Sequence, residues 1–194
     1  MESDNAYKTL LRISKEKNFD LLEKYLQESQ PVKINLSSLS LVEYLSSVIV
    51  SQQVSTKAAK TIWSRVHPII NANTNYQNLE TELHSAGLSK SKANYVIGLI
   101  NNSNLSSLQR SDLKELSNIE FENLLLANKG IGPWSVQMTK IFYLGDTDVM
   151  PIDDLGIKHA HEYFFSEHKI SEKFYELFRP WRTYLTLLMW KSLS

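Results

Sequence analysis

Apolar residues recur at spacings of three and four along nearly the whole chain, and two-residue alternation never lasts long enough to indicate a strand. This period predicts helices, which short turns rich in glycine, proline and asparagine separate. The predicted helices cover residues 6–14, 19–28, 41–51, 56–66, 79–85, 90–101, 112–116, 119–127, 133–142, 154–164, 171–178 and 180–192. The pattern therefore predicts an all-α protein.

The chain has 194 residues, enough for one domain or two small lobes. Since no linker is long enough to act as a tether, we expect residues 1–194 to form a single compact unit, with an N-terminal helical segment over 1–36 and a motif-bearing core over 37–192. The absence of cysteine excludes disulfides, a Cys-ligated zinc site and an iron-sulfur cluster. No apolar run suits a secretory signal or a membrane span, so we expect a soluble cytosolic protein without membrane contact.

The charges of the chain cancel, because 21 basic and 21 acidic residues are present. A nucleic-acid binder usually has a basic surface, so an evenly solvated, non-binding surface is an open interpretation. Several basic residues nevertheless cluster around the motifs described below: Lys57, Lys60, Arg65, Lys90, Lys92 and Lys129. If the protein binds DNA, its charge must be distributed asymmetrically.

A glycine-rich turn, Gly130-Ile131-Gly132-Pro133, connects two predicted helices. The two glycines allow a tight reversal, Ile131 would pack between the helices, and Pro133 suits the first position of the second helix. We expect free backbone N–H groups at the positive end of that helix, a site for one phosphate. Taken alone, such a turn is more often a plain connection between helices.

Two adjacent carboxylates, Asp153 and Asp154, enter the next helix about twenty residues later. Asp is a favoured N-cap, and we assign that role to Asp153. Asp154, just inside the helix, would point back to the hairpin and lie beside a nucleotide whose phosphate the hairpin holds. On spacing alone, a purely structural role for both residues stays open.

Four motifs in order resemble those of the helix-hairpin-helix (HhH-GPD) DNA glycosylases, within them the AlkA-type 3-methyladenine DNA glycosylase II branch. They are residues 49–55, 86–93, 129–135, and 151–154 together with 180–184. The resemblance implies two helical lobes with a helix-hairpin-helix motif and a cleft between them. It also implies a monomer, in the cytoplasm with the nucleoid or in a nucleus, that acts on double-stranded DNA with a damaged base. There it would flip out an alkylated purine of the 3-methyladenine or 7-methylguanine type and hydrolyse its N-glycosidic bond, leaving an abasic site.

By this resemblance, Asp154 is the catalytic residue. Breaking an N-glycosidic bond builds positive charge on the sugar, which a carboxylate stabilises, and an alkylated base already carries the positive charge that makes it a leaving group. Trp134, Trp181 and Met138 match lesion-pocket positions, where an electron-rich ring attracts an electron-deficient purine. Met138 replaces an aromatic residue of some relatives, so we expect a pocket of different shape. Packing in the core is the alternative for both tryptophans.

The resemblance also assigns DNA contacts. Gln53 would fill the space that the flipped nucleotide leaves, with a plain surface role as the alternative. The other residues assigned to DNA binding are Ser55, Lys57, Lys90, Lys92, Gly130, Ile131, Gly132 and Ser135.

Trp134 stands where bifunctional relatives carry a lysine nucleophile, so simple hydrolysis is expected. His159 and His161 face different sides of a helix, so we expect no metal held by side chains and no cofactor, apart from a monovalent cation that backbone carbonyls of such hairpins can hold. Two rival interpretations are a non-catalytic helix-hairpin-helix DNA-structure-binding protein and an all-α interaction module. The intact Asp154 argues against the first, and steeply salt-dependent DNA binding would exclude the second.

Overall fold

The computed structural model describes residues 2–72 and 78–193. Within these ranges the regular elements are all helical, which confirms the predicted all-α class. The α-helices are α1 (Glu2–Glu16), α2 (Asp20–Glu28), α3 (Leu41–Ser51), α4 (Thr56–Ala72), α5 (Leu79–Ser85), α6 (Lys90–Ile100), α7 (Ser103–Ser107), α8 (Arg110–Glu115), α9 (Asn118–Leu126), α10 (Pro133–Thr139), α11 (Leu155–Phe165), α12 (Glu172–Tyr175) and α13 (Arg182–Lys191). A π-helical turn, Lys140–Leu144, follows α10, and a 3-10 turn, Glu176–Phe178, follows α12.

The chain divides into two compact units. The terminal unit comprises residues 1–36 and 140–194, and the central unit comprises residues 37–139. The N-terminal helices α1 and α2 therefore belong to the same unit as α11, α12 and α13. The cleft expected between two lobes stays a prediction. No helix within residues 2–72 and 78–193 is long and apolar enough to cross a membrane.

Aromatic side chains fill the core of the terminal unit. Phe19 lies edge-on to Phe165, with ring centroids 5.1 Å apart, and Phe174 lies edge-on to the same ring at 5.1 Å. His161 is buried among them, and its two ring nitrogens lie 2.8 Å from the Tyr175 hydroxyl and 2.8 Å from the His168 carbonyl. Both nitrogens are thus used in packing α11 against the segment that follows it.

In the central unit, α3 packs against α4 and α6 and begins with a capping box formed by Ser40 and Glu43. The next helix, α4, continues through Pro68 to Ala72, beyond the predicted end at residue 66. Side-chain contacts beyond that predicted end stabilise the extension, because His67 lies 2.9 Å from Glu43 and 3.1 Å from the Asn71 amide nitrogen.

A short helix, α7, was not expected, since no helix was predicted between residues 101 and 112. The Asn102 side chain caps α7 by accepting the Leu105 N–H, at 3.3 Å, and the Leu105 side chain is buried. The cap and the buried Leu105 side chain both stabilise this single helical turn.

Candidate active site

The glycine-rich turn lies between α9 and α10 in the central unit, and Pro133 is the first residue of α10, as predicted. Gly130 has φ +88°, and a Cβ at this position would lie 2.5 Å from the Tyr95 ring, so only glycine fits. Ile131 is 6% exposed, which agrees with its predicted packing between the helices.

The backbone N–H of Ile131 is not free, which corrects the expectation for this residue. It donates to the Asn128 carbonyl at 3.1 Å and so closes the turn. The Asn128 side chain donates to the Leu124 carbonyl at 2.9 Å and accepts from the Asn102 amide at 2.9 Å, which ties the end of α9 to the start of α7. A phosphate is therefore expected at the other N–H groups of the turn and at the first turn of α10, where the helix dipole favours an anion.

The Gln52 side chain binds the hairpin, a contact that was not predicted from the sequence. Its amide nitrogen donates to the Gly130 carbonyl at 2.9 Å and to the Ser135 hydroxyl at 3.2 Å. Ser135 is 1% exposed, so its hydroxyl faces the interior, which corrects the DNA contact assigned to this side chain. Because carbonyls of the turn already accept hydrogen bonds from Gln52 and Ile131, the cation that such hairpins can hold stays a prediction.

Gln53 is exposed, and its backbone lies in the left-handed region at φ +57°. Residues other than glycine adopt this conformation only where the surroundings hold them, and such positions cluster at functional sites. The exposed Ser55 caps the next helix, because its hydroxyl accepts the Ala58 N–H at 3.2 Å. Lys57 and Lys90 are exposed, as contacts with phosphate require.

Lys92 does not present its charge to an open surface, contrary to the prediction. Its ammonium donates to the Val50 carbonyl at 3.0 Å and to the Gln52 carbonyl at 2.6 Å, at the C-terminal end of α3. Burial lowers the pKa of Lys92. The prediction failed here because these acceptor carbonyls come from the backbone, about forty residues away in sequence.

The N-cap of α11 is Asp154. Its Oδ1 accepts the Ile157 N–H at 3.0 Å, whereas Asp153 is 93% exposed and lies 3.3 Å from Lys158. The N-cap role assigned to Asp153 was therefore wrong, because Asp154 begins the helix and is also the less exposed of the two carboxylates.

The indole of Trp190 also binds Asp154, since its Nε1–H donates to Oδ1 at 2.9 Å. Gly156 makes this approach possible, because a Cβ there would lie 3.0 Å from the indole Cδ1 and 3.1 Å from the same Oδ1. The Phe142 ring stacks on Trp190, with centroids 6.2 Å apart and planes 19° apart. Two N–H donors thus hold one oxygen of the carboxylate, beside a stacked aromatic pair.

Trp190 was missed in the sequence, which instead suggested Trp181. The Trp181 ring lies edge-on to Tyr184, with centroids 5.7 Å apart, and packs against the core of the terminal unit. The structure therefore favours the packing alternative for Trp181, and the indole in contact with Asp154 is that of Trp190.

Two residues of the motif at 180–184 hold the segment that precedes Asp154. Arg182 is 13% exposed and clamps Asp148, with Nε 2.6 Å from Oδ1 and Nη2 2.7 Å from the backbone carbonyl. The Thr183 hydroxyl donates to the Asp146 carbonyl at 2.8 Å and accepts the Val149 N–H at 3.0 Å. These contacts fix the segment that leads into Asp154.

Two predicted pocket residues lie in α10. Met138 is 5% exposed, and its carbonyl accepts the Tyr44 hydroxyl at 2.8 Å. Trp134 is half-buried. Their part in a lesion pocket stays a prediction.

Comparison with known proteins defines the class. Residues 46–183 match the model of the HhH-GPD superfamily of base excision DNA repair proteins. The chain is 32% identical over 163 residues to DNA-3-methyladenine glycosylase 1 of Schizosaccharomyces pombe, covering 77% of this chain and 71% of that protein. It is also 29% identical to the DNA-3-methyladenine glycosylase of Saccharomyces cerevisiae, covering 96% of this chain and 76% of that protein.

Solved structures agree with the sequence comparison. The DNA-3-methyladenine glycosidase of Bacillus halodurans superposes with a TM-score of 0.71 at 25% identity, covering 93% of this chain and 86% of that one. The S. pombe 3-methyladenine DNA glycosylase in complex with abasic DNA has the same fold, with a TM-score of 0.77 at 24% identity, covering 97% and 96% of the two chains. The chain therefore belongs to the HhH-GPD superfamily of base excision DNA repair proteins. Within it the chain falls in the 3-methyladenine glycosylase branch, as the motifs indicated.

Proposed function

We propose that this protein is a monofunctional DNA glycosylase that hydrolyses the N-glycosidic bond of alkylated purines, of the 3-methyladenine or 7-methylguanine type, flipped out of duplex DNA. The observation that carries the proposal is the Asp154 carboxylate, held at the start of α11 by the Ile157 N–H and the Trp190 indole. A monomer acting on double-stranded DNA with a damaged base, in the cytoplasm or a nucleus, is part of the same proposal.

The carboxylate of Asp154 acts on the sugar. As the bond between C1′ and the base nitrogen breaks, its electron pair leaves with the base and neutralises the charge that alkylation introduced. The positive charge that develops on the deoxyribose is stabilised by the ionised carboxylate. A water molecule then adds to C1′ and loses a proton, which leaves an abasic site. No general acid has to protonate the leaving base.

Aromatic rings select the lesion. A cationic purine is attracted to the face of an electron-rich ring by about 2 kcal/mol when both are desolvated, an advantage that an undamaged purine lacks. The Trp190 ring, which contacts Asp154 and stacks on Phe142, is the best placed to provide this face. The motif match assigns Trp134 and Met138 to a lesion pocket.

The DNA backbone is held by the central unit. The first turn of α10, after Gly132, takes one phosphate, and the exposed Lys57 and Lys90 contact others. Gln53 fills the space in the base stack, which its exposed position supports. Because Trp134 offers no amine, no Schiff base forms and the DNA strand is not cut.

The test is to incubate the purified protein with duplex DNA treated with a methylating agent and to identify the released bases by chromatography. We expect free 3-methyladenine or 7-methylguanine, strand breaks only after alkali, and no covalent complex on borohydride treatment. Tight binding without any released base would instead support a non-catalytic DNA-structure-binding protein. A borohydride-trapped complex would exclude the monofunctional mechanism.

A further inference from the structure

Three segments of the central unit meet at the backbone around Gln52. Lys92, from α6, donates to the carbonyls of Val50 and Gln52, at 3.0 and 2.6 Å. The Gln52 side chain in turn donates to the Gly130 carbonyl in the hairpin, at 2.9 Å. The residue that follows this junction directly is Gln53.

The junction provides hydrogen-bond partners for the carbonyls at the end of α3, just before the Gln53 loop. The last carbonyls of a helix have no partner within it, and a cation at this end is favoured by the helix dipole. Gln53 has φ +57°, a conformation that costs about 1–2 kcal/mol for a residue with a side chain. The contacts of the preceding residue, Gln52, are placed to offset this cost.

The family resemblance assigned Lys92, like Lys90, to DNA binding. Its two backbone acceptors, at 3.0 and 2.6 Å, and its partial burial indicate a different role.

We propose that Lys92 and Gln52 are positioning residues that lock the Gln53 loop to the hairpin, so that Gln53 enters the base stack while the hairpin holds the backbone. This inference rests on the proposed function, because it concerns how the same DNA site is assembled. It assigns both residues to recognition of the gap in the stack and not to general attraction for DNA.

Salt dependence separates the two roles of a lysine. A phosphate contact contributes about 0.9 to the slope of log affinity against log salt concentration, and its loss weakens binding to any duplex. A positioning lysine leaves this slope unchanged. Its loss lowers only the ratio of affinity for duplex with an abasic-site analogue to affinity for intact duplex, by roughly tenfold for hydrogen bonds to a charged group.

The experiment measures both quantities by fluorescence anisotropy of the full-length protein over a range of potassium chloride concentrations. For Lys92→Met we expect an unchanged slope and a roughly tenfold lower ratio, with recovery in Lys92→Arg, which keeps donors for both carbonyls. Lys90→Met is the matched control, exposed and two residues earlier on the same helix, and should lower the slope by about 0.9 with an unchanged ratio.

Gln52→Leu removes the hydrogen bond from the Gln52 side chain to the Gly130 carbonyl. This variant tests the inference if Lys92→Met does not give a cooperative melting transition. It should lower the ratio as Lys92→Met does. A 2-aminopurine placed beside the lesion reports flipping, and its fluorescence gain should fall in both variants.

Three results would overturn the inference: a slope lowered by about 0.9 in Lys92→Met, an unchanged ratio in Gln52→Leu, or a wild-type protein without preference for the abasic analogue. Because the assay contains no excision step, it still decides the inference if the wild-type protein releases no base. A wild-type protein that releases no base would count against the proposed function alone.

Discussion

Replacing Trp190 by phenylalanine is the sharpest perturbation of the Asp154 site. Phenylalanine keeps an aromatic ring on α13, where it can still stack on Phe142, but it lacks the Nε1–H that lies 2.9 Å from Asp154 Oδ1. The variant therefore removes one of the two described donors to this oxygen while a ring face remains for the lesion. The Ile157 N–H, at 3.0 Å, stays in place.

The expected magnitude follows from that single hydrogen bond. A hydrogen bond to a charged group contributes roughly 1.5–3 kcal/mol, and each 1.4 kcal/mol changes a rate about tenfold. Because the Ile157 N–H still orients Asp154, we expect the lower end of this range, a fall of about tenfold in the rate of base release. Affinity for abasic duplex should change less than about threefold, since DNA contacts are assigned to the central unit.

The assay is single-turnover release of 7-methylguanine under enzyme excess, with abasic-duplex affinity measured in parallel. Trp181→Phe is the contrasting variant, because its indole packs against the core and lies edge-on to Tyr184. It should release base at nearly the wild-type rate. Wild-type release by Trp190→Phe together with slow release by Trp181→Phe would refute the assignment of Trp190 to the carboxylate.

Three further predictions concern single residues. Gly156→Ala should slow base release with little change in melting temperature, because its Cβ would crowd both Trp190 and Asp154 Oδ1, at 3.0 and 3.1 Å; wild-type release would show that the site relaxes freely. Gly130→Ala should lower the free energy of unfolding by more than about 1 kcal/mol, measured in urea, because φ is +88° and Tyr95 fills the space of the Cβ. The hydrogen bond from the Ser40 side chain is the largest cause that lowers the pKa of Glu43, from 4.5 to about 2 in the folded protein. Glu43 should therefore stabilise the fold above pH 4.5, and this stabilisation should be lost as the pH falls towards about 2. Urea unfolding of Glu43→Gln should show a weaker fall over that interval, and an identical pH profile would contradict the assignment.

Features of the fold could be predicted from the sequence where they depend on neighbouring residues. The helical period gave the all-α class, and the bounds of α3 and α5 agree with the predicted 41–51 and 79–85. Gly130 and Pro133 were placed correctly, because backbone conformation at these residues depends on their own covalent structure. Local signals failed at Pro68, where tertiary contacts carry α4 onward.

Side-chain roles that depend on distant partners were not accessible. Trp190 reaches Asp154 across 36 residues, and nothing in the spacing favours it over Trp181. Lys92 looked like the neighbouring Lys90, yet it points to backbone carbonyls 40 and 42 residues away. In each case the residue type was visible in the sequence, and the partner was defined only by the packing of helices.

The central claim is that Asp154 stabilises the sugar of the flipped nucleotide, and Asp154→Asn tests it most directly. Asparagine keeps an oxygen that can accept from Ile157 and Trp190 but removes the negative charge. Single-turnover release of 7-methylguanine should fall by at least about a hundredfold, with abasic-duplex affinity and melting temperature close to wild type. Release at the wild-type rate by this variant would contradict the mechanism.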